Sequence, residues 1–150
     1  ITGSGSYLTE FLSRIAEMGL ENHVHYLGFL PFNELVGELR NADIGIVAQT
    51  SSPYSNLVHT GKMYDYIHFG LPVIASRLAA VQAYFGDHSL YFFEPGNPES
   101  LAQAILDLYH HPDKRKQLIV NSRQLYDESY CWDKQKEIYL STYRSLVGER

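Results

Sequence analysis

The chain has 150 residues, 45% of them apolar and 13% aromatic, which is enough for one sizeable core and is most simply read as a single domain. Its 12 Lys plus Arg stand against 17 Asp plus Glu, and the formal charge of -5 argues against a nucleic-acid or anionic-membrane surface covering the whole molecule. One cysteine, Cys131, excludes an internal disulfide framework and fits a reducing cytoplasmic compartment or a buried structural thiol.

No apolar stretch approaches the roughly 20 residues that span a bilayer, so no membrane span is expected. The opening ITGSGSY has neither the basic flank nor the apolar centre of a signal peptide, and its lack of an initiator methionine predicts a fragment. Residues 1–2 are expected to end a strand, and Gly3-Ser4-Gly5 to turn the chain into a helix with the apolar face Tyr7, Leu8, Phe11, Leu12 and Ile15, stopped near Gly19. A strand is predicted at 23–27. Gly28-Phe29-Leu30-Pro31 then leads into a helix carrying Leu35, Val36 and Leu39, and DIGIVA at 43–48 reads as a buried strand.

After the loop QTSSPYSNLV comes a helix opened by Thr60-Gly61-Lys62 and closed by Gly70, with Leu71-Pro72 returning the chain to a strand at 72–76. A short helical or irregular piece at 78–85 and a strand over SLYFFE at 89–94 follow. Asn97-Pro98 supplies an N-cap and N1 pair for a helix over 99–110. Helices at 112–128 and 132–147 end the chain, the last with a stripe of Trp132, Tyr139, Tyr143 and Leu146 expected to pack in the core. The run Asp113-Lys114-Arg115-Lys116 reads as a solvated first turn. Strands separated by helices through short loops predict an α/β fold: a Rossmann-like parallel sheet with helices on both faces and extra helices at the C-terminus.

In such a sheet ligands sit beyond the carboxyl ends of the strands, which directs attention to the loops at 3–6, 28–31, 49–60 and 77–80. Thr60 is expected to cap the helix, Gly61 to leave its first turn unobstructed and Lys62 to add a positive charge. Together they form an anion site. Asp65, about one turn further in, is placed to accept hydrogen bonds from a vicinal diol such as a ribose. The pattern is not a Walker A loop, because Asn56 stands where glycine is needed and Met63 where Ser or Thr is needed. Gly3-x-Gly5 lacks the third small residue of a dinucleotide fingerprint, which falls on Leu8. His23 and His25 have no third metal ligand near them in sequence, and no metal site is predicted.

Three stretches in order, HVHYLGFLPFNELVGELRNADIGIVAQTSSPY, TGKMYDYIHFGLPVIAS and SLYFFEPGNPESLAQAILDLYHHPDKRKQL, resemble the carboxyl-terminal donor-binding domain of group 1, glycogen-synthase-like retaining glycosyltransferases of GT-B fold. The similarity runs over about residues 1–145, and its most specific piece is the helix followed by GLPVIAS. What the resemblance implies is a nucleoside diphosphate sugar site: Thr60, Gly61 and Lys62 on the diphosphate, Asp65 on the ribose, and the base against the turn of Gly28, Phe29 and Leu30. The family often pairs two glutamates with seven residues between them, and here Asp65 takes the second place while Leu57 falls at the first, beside the donor sugar. The family's diphosphate-neutralising Arg and Lys lie upstream of a GSG-type turn, so they and the amino-terminal acceptor domain are expected to be absent, and the isolated domain inactive.

The expectation is therefore a donor domain that moves a glycosyl unit to a carbohydrate or lipid-linked acceptor, by electrostatic stabilisation of the leaving diphosphate and with no metal or cofactor. The full-length protein would be cytoplasmic or peripheral at the membrane. A nucleotide-sugar 2-epimerase of the same fold is the alternative. A signalling receiver domain is a more distant one, since its phosphoacceptor ends a strand whereas Asp43 opens one.

Overall fold

The computed structural model describes residues 1–148 and divides the chain into two compact units, Ile1–Asn41 and a second beginning at Ala42. In the first unit, helix α1 (Leu8–Glu17) and helix α2 (Phe32–Asn41) form where the apolar periodicity places them. Only Ile15 of α1 is buried, while α2 buries none of its residues and keeps Leu35, Val36 and Leu39 half-buried.

The strands expected at 1–2 and 23–27 do not form as regular strands. What remains is a parallel-type bridge around Tyr26: the Ile1 ammonium donates to the His25 carbonyl at 2.7 Å, and the Leu27 amide to the Ile1 carbonyl at 2.9 Å. The Gly3 amide then bonds to Gly28 rather than Leu27, at 2.8 Å, and the register is lost. The hydroxyl of Tyr26 donates to the Gly3 carbonyl and pins the same turn.

The second unit holds strand β1 (Gly45–Val47), helix α3 (Lys62–His68), β2 (Val73–Ser76), α4 (Ala79–Gln82), β3 (Tyr91–Phe93), α5 (Pro98–His110), α6 (Pro112–Leu125), a π-helical turn (Tyr126–Tyr130) and α7 (Trp132–Val147). The strands are parallel in the order β1-β2-β3, with Ile46 opposite Ile74 and Ala75 opposite Phe92. Alternation along each strand sends side chains to two cores. Val47, Val73, Ala75 and Phe92 meet Met63 and Ile67 of α3 and Val81 of α4 on one face, while Ile74 and Phe93 meet Ala104, Leu108 and Leu118 of α5 and α6 on the other. This is the expected parallel sheet with helices on both faces.

Close packing of α3 on β1 requires a glycine: a Cβ on Gly45 would overlap the ring of Tyr66. The predicted cap of α5 is present, with the Asn97 side-chain oxygen accepting from the Ser100 amide at 2.9 Å and Pro98 at the first helical position.

Four expectations need correction. The stretch 43–48 is not wholly buried, because β1 pairs only with β2 among the described residues and leaves Ile46 38% exposed. The stripe on α7 is not core: Trp132 is 70% and Leu146 80% exposed, Tyr139 and Tyr143 are exposed as well, and no residue of α7 is buried. Helical periodicity identifies an apolar face but not whether a neighbour covers it. Cys131 is half-buried rather than buried, its thiol 3.4 Å from the Asp127 carbonyl. Finally, the 113–116 run is more than a solvated turn. Lys114 binds Asp107 at 2.7 Å and lies 4.4 Å from the Tyr91 ring centre, and Arg115 donates to the carbonyls of Leu108 and Tyr109 at the end of α5. Among the described residues, no helix is long and apolar enough to cross a membrane and no group of three or more metal-ligating side chains occurs.

Candidate functional site

Beyond the carboxyl end of β1 the chain enters the Ser-rich loop 48–61, and side-chain hydrogen bonds hold this loop in one shape. The Gln49 amide donates to Ser76 Oγ at 2.8 Å, tying the loop to the end of β2. Ser55 is buried, accepts from the Ser52 amide at 2.8 Å and donates to the Thr50 carbonyl at 2.8 Å. Asn56 bridges outward: its Oδ1 accepts from the Ala79 amide at the start of α4 at 3.0 Å, and its Nδ2 donates to Ser51 Oγ and the Ser52 carbonyl. Sequence reasoning gave Asn56, Ser55 and Ser76 no role in bracing the loop. The visible signal was the turn composition of SSPYSN, which marks a loop without saying what braces it.

The loop delivers the chain to the start of α3, where Gly61 rather than Thr60 is the N-cap. Gly61 itself has helical dihedrals (φ -61°, ψ -24°), and its carbonyl accepts from the amides of both Tyr64 and Asp65. That moves the cap one residue on from the expected position and leaves Thr60 Oγ1 a long 3.4 Å from the Lys62 amide. Among the described residues the amides of Gly61 and Met63 find no acceptor, and of the two residues only Gly61 is exposed. Met63 and Ile67 anchor the helix in the core, and Lys62 and Asp65 project from the opposite, exposed side. Neither charge has an ion-pair or hydrogen-bonding partner among the described residues, although they lie three positions apart on one helix.

Behind this helix start lies an aromatic cluster. His59 meets Tyr64 and Tyr84 edge-on, with ring centres 5.5 and 4.6 Å apart, and Tyr64 also packs on Phe85, Tyr126 and Tyr130. Burial, then the neighbouring Tyr130 and Tyr84, pushes the Tyr64 phenol up to about 12. Tyr66 is raised by burial and, secondarily, by the charge of Asp65. Two buried side-chain atoms of the loop, Gln49 Oε1 and His59 Nδ1, have no partner among the described residues. The far end of α3 is held by Arg123, which donates to the His68 carbonyl at 3.1 Å.

Leu57 lies on the braced loop three residues before Thr60 and is 82% exposed. It borders a cavity of about 500 Å3 walled by residues 56–59, 79, 80, 83 and 84. A smaller cleft of about 190 Å3 runs between residues 48–50 and 93–98. The structure therefore brings Leu57, Thr60, Gly61, Lys62 and Asp65 into one continuous segment. Phe29 and Leu30 belong to the first unit, at a turn where Gly28 has a φ of 70°, the left-handed region that favours glycine. There Phe29 is 83% exposed and Leu30 half-buried.

Comparison with known proteins places the chain. No curated protein matches it in sequence. In structure it is similar to HepE of Anabaena, solved with UDP and glucose, at 22% identity and a TM-score of 0.78, over 93% of this chain and 36% of that one. Sucrose-phosphate synthase of Thermosynechococcus elongatus gives 19% identity and 0.77, over 97% and 36%. The C-terminal domain of the group 1 glycosyl transferase LpcC of Francisella tularensis gives 20% and 0.69, over 84% and 63%. The chain thus spans little more than a third of the length of the first two and shares their α/β fold. The family model of glycosyl transferases group 1 matches residues 1–125, and the chain, with the fold of the carboxyl-terminal domain of these GT-B enzymes, belongs to that family.

Proposed function

We propose that the chain binds a nucleoside diphosphate sugar and, together with an acceptor-binding domain, serves transfer of the glycosyl unit to a carbohydrate or lipid-linked acceptor. The observation that carries this reading is the start of α3: Lys62 and Asp65 are exposed, opposite in charge, three residues apart and unpaired among the described residues, beside the exposed Gly61, whose amide has no acceptor there. An ammonium and an open amide suit a diphosphate, and a free carboxylate suits two ribose hydroxyls. Because α3 has only seven residues, the full charge of Lys62 carries more of the attraction than the helix dipole. Thr60 and Gly61 line the phosphate side, Leu57 faces the sugar, and Phe29 and Leu30 serve the base.

The chemistry required is stabilisation of a departing diphosphate, for which positioned donors suffice and no protein nucleophile is needed. The reading assigns no resident cofactor, since the nucleotide sugar is a substrate, and no nucleic-acid partner. It places the protein in the cytoplasm, peripheral to the membrane where the acceptor is lipid-linked. Support also comes from the UDP and glucose held by HepE. Calorimetric titration with UDP, GDP and ADP tests the reading: one of the three is expected to bind, and failure of all three overturns it. Product analysis with a chain that includes the acceptor domain separates transfer from 2-epimerisation.

A further inference from the structure

The sugar of a nucleoside diphosphate sugar is bonded to the terminal phosphate, so it must occupy a cavity adjoining the phosphate-binding turn. The cavity of about 500 Å3 meets that condition, because His59 in its wall is only three residues from Lys62, at most about 11 Å of chain. Its size falls in the ordinary range of ligand sites, about 300 to 1,000 Å3, whereas the cleft of about 190 Å3 falls below it.

The walls are unusual for a carbohydrate. Leu57, Val58, Ala79, Ala80 and Ala83 are apolar, the polar side chains are Asn56, His59 and Tyr84, and no carboxylate lines the space. Asn56 is already committed, its oxygen to the Ala79 amide and its nitrogen to Ser51 and Ser52. Tyr84 offers a hydroxyl that donates to nothing among the described residues. With Asn56 committed, only the side chains of Tyr84 and His59 remain for the ring hydroxyls, so a fully hydroxylated hexose would leave some of them without side-chain partners, which costs affinity.

We propose that this cavity is the donor-sugar subsite and that it selects a sugar with a methyl-terminated substituent, supplied either by a 6-deoxyhexose or by an N-acetyl group. The inference rests on the nucleotide site proposed above. Leu57 and the three alanines cover the methyl group, and the Tyr84 hydroxyl meets one of the remaining ring hydroxyls.

The test is titration of the 150-residue chain with UDP, UDP-glucose, UDP-6-deoxyglucose and UDP-N-acetylglucosamine, or the same series on GDP or ADP if that is the nucleotide bound. The affinity of each sugar form is read as a ratio to the bare diphosphate. Covering one methyl group is worth about fourfold, so at least one methyl-bearing form is expected to exceed the glucose form by about fourfold or more, and the arm that does so identifies the source. Leu57→Ser should erase that margin, and because Leu57 is exposed the melting temperature of the variant should match the wild type. Glucose binding as tightly as both methyl-bearing forms, or a margin that survives Leu57→Ser, overturns the inference while leaving the nucleotide site in place. Absence of any nucleotide binding removes both.

Discussion

Asp65→Ala separates a ligand-binding acid from one that merely complements a helix. Asp65 is the fourth residue of α3, exposed and without an ion pair among the described residues. Its contribution to folding is therefore limited to the helix dipole, about 0.3 to 1 kcal/mol. Alanine recovers up to about 0.7 kcal/mol of helix propensity, so the two nearly cancel. The melting temperature should move by less than about 2 °C in a chain of this size. Binding should respond differently. If Asp65 accepts two ribose hydroxyls, losing it costs about 1.5 to 3 kcal/mol, a drop of about tenfold to 150-fold in nucleotide affinity. Removing the carboxylate also relieves its repulsion of the diphosphate, worth about 1 kcal/mol or less at an exposed site, so the observed loss falls toward the lower end of that range. Calorimetric titration of wild type and variant with the ordinary nucleotide and its 2′,3′-dideoxy form resolves the two effects. The dideoxy form should bind the variant as well as, or slightly better than, the wild type. A variant that binds the ordinary nucleotide as tightly as wild type while melting several degrees lower refutes the ribose assignment.

Lys62→Ala should weaken UDP or GDP binding far more than uridine or guanosine binding, with the difference shrinking as salt rises; equal losses would make Lys62 a solvated helix residue. Gly45→Ala drives a methyl group into the Tyr66 ring and should cost about 1 to 3 kcal/mol in denaturant unfolding, whereas an unchanged midpoint would show that the ring moves aside. The Tyr64 phenol, raised to about 12 in the folded chain, holds its proton more tightly there than when unfolded. Its contribution is thus fully present below pH 10 and is lost as pH rises from about 10 to about 12. Tyr64→Phe should flatten stability over that window, and an identical slope in both proteins would place the loss elsewhere.

The alternation of apolar runs with helix-period segments determined the parallel α/β sheet, because strand and helix periods are written in residues a few positions apart. The Asn97-Pro98 start of α5 and, to within one residue, the helix opening that carries Lys62 and Asp65 were legible for the same reason. The family resemblance rested on the order and spacing of such local pieces, above all the helix followed by GLPVIAS. Other features needed partners distant in the chain. Ser76 bracing Gln49, Asn56 reaching Ala79 and Arg123 reaching His68 join residues more than 20 positions apart, and no periodicity records such pairs. Burial was decided in the same way: Ile46 is exposed because β1 pairs on one side, and the stripe on α7 because no described element covers it. A strand needs a partner of matching length, which residues 23–27 do not find in the three residues that face them. The sequence thus carries the local geometry, and the tertiary structure decides which surfaces and backbone groups are left open to a ligand.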